Sequence, residues 1–137
     1  MNTITRTLTA LAIAALASLA FAAEEAAEHV TQRLAFHSDG VLEQCVPAFA
    51  DDPDLYTFCF TLEWVNLALA RAELEQAVRN EDTLTWTSAW ERTDFDEETA
   101  MVQRLLDYDE REFIVAVIGG DAPTDSSYVV VATAREN

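Results

Sequence analysis

Asp52-Pro53-Asp54-Leu55-Tyr56-Thr57-Phe58-Cys59-Phe60-Thr61-Leu62-Glu63-Trp64-Val65-Asn66-Leu67-Ala68-Leu69-Ala70-Arg71-Ala72-Glu73-Leu74-Glu75-Gln76 is the stretch on which the fold turns. Asp52 suits an N-cap and Pro53 the first helical position. Leu55, Phe58, Cys59, Leu62, Val65, Leu69, Ala72 and Gln76 then recur at steps of three and four, the spacing of one helix face. Phe60, Trp64, Leu67 and Leu74 widen that face. The pattern predicts a long, central helix from Asp52 to about Asn80, touched on more than one side.

Working outward, Ala23 to His37 is rich in Ala and Glu, with Ala26, Ala27, Val30 and Leu34 at helical spacing, and predicts a helix that Ser38-Asp39-Gly40 ends. Val41 to Ala50 reads as a short helix, either kinked or partly irregular at Pro47. On the other side of the long helix the period changes to two. Leu84, Trp86 and Trp90 alternate with Thr85, Thr87, Glu91 and Thr93, which predicts a half-buried strand over 83–93. Thr93 to Glu98 then reads as the start of a helix running to about Asp107, with Ala100, Met101, Leu105 and Tyr108 inward. Glu112 to Ile118 is a continuous apolar, β-branched run, hence a strand covered on both faces or nearly so. Gly119 to Ser126 carries turn residues, and Ser127 to Ala134 is its antiparallel partner strand. The expected fold is α+β: N-terminal helices, one long and central, packed on a small, mainly antiparallel three-stranded sheet, in the order α-(α)-α-β-α-β-β.

Residues 1–22 read as an address. Arg6 precedes an apolar run from Leu8 to Ala20, and Ala20-Phe21-Ala22 closes it, the layout of a cleavable secretory signal peptide. A spanning helix needs about 20 apolar residues, and acid begins here at Glu24. Cleavage after Ala22 leaves one expected domain, residues 23–137, exported to the periplasm or secreted. Cys45 and Cys59 are the only cysteines. In an oxidising compartment they are expected to form a structural disulfide, because their spacing of fourteen is not that of a Cys-x-x-Cys redox pair.

The chain has 137 residues, half of them apolar, a mean hydropathy of +0.02 and a net charge of −17. Its apolar content excludes a disordered acidic tail. All basic residues are Arg. Loss of Arg6 with the leader leaves seven of them against 25 acids, a mature charge of −18. Such a chain is not expected to bind nucleic acid or an anionic membrane.

Motifs that carry chemistry are sparse. His29 and His37 are too far apart for a metal pair on one helix, and Glu25 with His29 reads as a solvated pair. Asp51 to Asp54, Asp94 to Glu98 and Asp107 to Glu110 lack the spacing of a calcium loop. Gly119-Gly120-Asp121 lacks the phosphate-loop pattern. No metal or cofactor is therefore expected, and a non-enzymatic role is favoured. Trp86 and Trp90 with Leu84 are expected to pack beneath the helices; if that face is open, Trp86 and Trp90, together with Trp64, Phe60 and Tyr56, are the candidate binding face. The leading expectation is a small periplasmic protein that acts by binding an envelope protein, in the manner of an inhibitor, chaperone or assembly factor. The alternative is a small-ligand or lipid pocket beside Trp86 and Trp90, with weak hydrolytic activity.

Overall fold

The computed structural model describes residues 22–135. The leader expected over 1–22 therefore lies outside the described residues, apart from Ala22. Helix α1 covers residues 22–38, as the sequence suggests, and buries Ala27, Val30, Leu34 and Ala35. It is followed by strand β1 (Val41–Glu43) and a single-turn helix α2 (Pro47–Ala50) with Pro47 in its first turn. Pro47 thus opens a helix that begins later than expected; it does not kink a longer one.

The decisive stretch departs from its reading. Leu55–Leu62 is strand β2, and only Leu67–Arg79 is helix, α3. Tyr56, Phe58, Phe60 and Leu62 alternate onto the face that packs against the helices. An aromatic and β-branched run of this kind fits a pleated sheet better than a helix surface. Asp52 does not cap a helix; its Oδ1 accepts from the Asp54 backbone N–H at 2.9 Å, closing a turn. The true N-cap is Asn66, whose side chain accepts from the Leu69 N–H at 3.0 Å.

A second expected helix is also strand. Beyond β3 (Thr85–Trp86) and β4 (Glu91–Asp94), Ala100–Tyr108 forms β5. Asp96 Oδ1 accepts from the N–H groups of Glu98 and Thr99, both at 2.7 Å. Its acids turn the chain between β4 and β5, where a helix start was expected. Ala100, Val102, Leu106 and Tyr108 face the helices at period two. The strand expected over 83–93 is real only at its two ends.

β6 (Arg111–Gly119) and β7 (Ser127–Ala134) pair antiparallel as expected, with Val115 opposite Val131 and Val117 opposite Val129. The sheet is thus seven-stranded and antiparallel, in the order β1-β2-β7-β6-β5-β3, with β4 also pairing β5. It is not the three-stranded sheet the sequence suggested. β2 and β5 contribute most of the difference. α1 and α3 lie on one face, and the main core joins them to Phe60, Leu62, Val102, Leu106, Phe113, Val115, Val117, Val129 and Val131.

Two features of this frame have measurable costs. β5 and β6 are joined by a two-residue turn, Asp109-Glu110, with φ of 53° and 61°. Both residues are in the left-handed region that favours Asn and Gly. A Glu110→Gly variant is expected to gain about 1 kcal/mol, readable as a higher melting temperature. On the helix side, the carboxylate of Glu81 accepts from Arg33 and from His37 Nε2, the latter at 2.8 Å. The His37 bond first, and Arg33 second, hold the Glu81 carboxyl below the ordinary 4.5. A lowered carboxyl stabilises the fold above its unfolded value, and the increment is lost as pH falls through the folded value. Melting curves of the wild type and Glu81→Gln should therefore be separated at neutral pH and converge as pH falls below the ordinary carboxylate range.

Candidate functional site

The face of the sheet turned away from α1 and α3 carries an apolar strip that is covered only in part. Register defines it. Met101 lies opposite Ile118, Gln103 opposite Ala116, and Leu105 opposite Ile114 on β5 and β6. Tyr128, Val130 and Ala132 continue the same rows on β7. Part of this face has cover. The Cys45–Cys59 disulfide, with Cα atoms 5.1 Å apart, ties the segment before α2 to β2. Phe49 of α2 sits 6.1 Å from the Tyr128 ring, and Cys59, Ala116 and Val130 are buried beneath. The bridge expected from the sequence is present, and its work is to hold α2 on this outer face.

The cover stops there. Along β6, Phe113, Val115 and Val117 are fully buried on the helix side, whereas outward-facing Ile114 is 37% exposed. Ile118, Met101 and Leu105 are only half-buried. The continuous apolar run that predicted a strand covered on both faces is covered on one face and on part of the other. Beside Ile114 lies a recess of about 390 Å³, lined by Leu55, Ile114, Ala132, Thr133 and Ala134, with Asp109, Glu110, Arg111 and Glu112 at its rim.

The arginines keep mainly to the helix side, where acids such as Glu75, Glu81 and Asp94 accompany them, while the outer face carries acids. By register, Glu91, Asp107 and Glu112 point outward beside the apolar strip, and Glu43 does so on β1. Arg92, Arg104 and Arg111 occupy the opposite, helix-side positions of their strands. Arg33, Arg71 and Arg79 are on α1 and α3, and Arg135 stacks 4.7 Å over helix-side Tyr56. Asp107 and Glu112 face each other directly across β5 and β6, an arrangement that repels.

The aromatic residues singled out from the sequence are dispersed. Phe60 is fully buried in the core. Tyr56 is half-buried on the same face. Trp86 and Trp90, expected about 13 Å apart on one strand, are brought together by the break between β3 and β4, with ring centroids 5.3 Å apart. The Arg104 guanidinium lies 4.7 Å from the Trp86 centroid and Arg71 lies 5.7 Å from Trp90, while Trp90 Nε1 donates to Glu75 Oε1 at 2.8 Å. Trp64 stands elsewhere, 73% exposed in the turn after β2 at φ 61°, its N–H donating to Ser126 Oγ. Between β2 and β3 lie β7, β6 and β5, so Trp64 is not part of the Trp86–Trp90 pair.

The two histidines also separate, His29 stacking 5.2 Å from Tyr108 and His37 joining Glu81. Among the described residues no group of three or more His, Cys, Asp or Glu could hold a metal ion. None of their helices is long and apolar enough to cross a membrane. The open strip is hidden in the sequence because the acids of 94–98 resemble a helix start and put Met101 and Leu105 on a helix face. Once β5 is a strand, the outward positions Met101, Gln103, Leu105 and Asp107 alternate visibly. No protein-family model matches the chain, and no curated protein matches it in sequence, so the site rests on its geometry.

Proposed function

We propose that this chain is an exported, non-enzymatic binding protein that docks an envelope or periplasmic protein on the outer face of its sheet, as an inhibitor, chaperone or assembly factor does. One observation carries the reading: the strand most in need of cover on both faces has Ile114 and Ile118 only partly covered. Exposed apolar surface organised as a strip, with a polar rim, is the usual form of a protein-binding face. The disulfide supports an oxidising location, where such bridges persist.

The test substitutes Ile114. Because this side chain is 37% exposed, Ile114→Lys is expected to cost under about 1 kcal/mol of stability. The protein, expressed with its own leader and immobilised oxidised, should retain a discrete envelope protein that the Ile114→Lys variant releases. Equal retention by both proteins would overturn the reading.

A further inference from the structure

We infer that the partner meets this face with a cationic amphipathic segment, an apolar stripe flanked by lysine or arginine; the inference rests on the docking reading above. The apolar part fits the strip itself. The Met101–Ile118 and Leu105–Ile114 pairs lie four residues apart along their strands, about 13 Å. Ala116 between them is buried under α2, so the open part of the strip is the Leu105–Ile114 end, next to the recess. The flanking charge follows from the rim, where Glu91, Asp107 and Glu112 stand outward and, of the described arginines, Arg111 alone reaches the recess, against Asp109, Glu110 and Glu112. In the recess beside Ile114, a lysine or arginine can lay its alkyl stem along Ile114 and Ala132 and bring its charged head to Glu110 or Glu112.

The facing pair Asp107 and Glu112 adds an energetic argument. Two carboxylates directly opposite on neighbouring strands repel each other in the free protein. A cation seated between them removes that repulsion, so its binding gains more than one ion pair would give. The same rim disfavours a second copy of this chain, because face-to-face packing brings the acids of two molecules together.

The experiment titrates the oxidised, isotope-labelled protein with three synthetic peptides at physiological ionic strength. They share one amphipathic apolar stripe and differ only in flanks of lysine, glutamine or glutamate. The lysine peptide should shift the backbone resonances of Leu105, Ile114 and Ile118, and bind at least about tenfold more tightly than the glutamine peptide. The double substitution Asp107→Asn with Glu112→Gln relieves repulsion and keeps the fold, and should remove most of that advantage. Equal binding of the glutamine peptide at this strip would overturn the cationic partner and leave the docking reading standing. If no peptide perturbs the strip, the docking reading falls as well. Shifts scattered over all acidic surfaces, or a dimer in sedimentation with Ile114 at its interface, would also overturn the inference.

Discussion

Phe60→Ala is expected to remove about a third or more of the fold's stability. The side chain is fully buried where β2 crosses the helices. Its ring also lies against Gly40, the residue that ends the turn after α1, so closely that a Cβ at Gly40 would collide with it. Truncation removes the ring's burial and leaves a cavity between sheet, α1 and turn, which relaxes only in part. Large-to-small changes of this kind cost about 3–5 kcal/mol, against a total of about 5–15 kcal/mol for a small domain. Urea unfolding followed by tryptophan fluorescence measures it. A midpoint within experimental error of the wild type would show that this packing does not hold the sheet to its helices.

The second large effect belongs to the disulfide. Cys45 and Cys59 close a loop with a sequence separation of 14, worth on the order of 3 kcal/mol in the chain-entropy account. The Cys45→Ala, Cys59→Ala protein should lose about that much in urea unfolding. A distinctive second readout accompanies the loss. α2 makes few other attachments to the sheet: Phe49 against Tyr128, the Val46 N–H donating to the Tyr128 hydroxyl at 3.0 Å, and Thr57 Oγ1 donating to the Phe49 carbonyl at 3.0 Å. Without the bridge, α2 should leave the outer face and uncover Ala116 and Val130. Binding of a hydrophobic dye should therefore rise under native conditions before any global unfolding. A variant that is destabilised without extra dye binding would show that α2 stays in place unaided.

The parts of this fold that were legible in the sequence are those whose signal is local. α1 has helical spacing and a clear stop at Asp39 and Gly40. β6 and β7 are apolar, β-branched and separated by a seven-residue turn-rich loop, and two cysteines without Cys-x-x-Cys spacing announce a bridge. β2 misled because Leu55, Phe58, Cys59 and Leu62 satisfy a helical period while Tyr56, Phe58, Phe60 and Leu62 satisfy a strand period. Only pairing with β7 decides between the two. β5 misled because the acids before it resemble a helix start, and because Arg104, facing Trp86 and Trp90 on the helix side, breaks the apolar alternation.

The candidate site was harder still to read. Its residues come from strands that become neighbours only in the folded sheet, and its defining property is the extent of cover by α2, which no local pattern records. Sequence reasoning found the aromatic residues because they are conspicuous. The structure spends Phe60 on the core, sets Trp86 and Trp90 against arginines, and leaves the less conspicuous Leu105, Ile114 and Ile118 toward solvent.

The acids of the outer face also act at a distance. Glu91, Asp107 and Glu112 beside the strip, where Arg111 is the one described arginine nearby, give this face a local excess of negative charge. In the field of a positively charged partner the molecule experiences a torque that turns the open strip forward before the surfaces touch. Encounter then becomes faster and better oriented than random collision, and the association rate should fall steeply as added salt shortens the range of the field to about 10 Å or less. In the proposed complex the dissociation rate, which depends on short-range contacts at Ile114 and Leu105 as well, should change less with salt than the association rate.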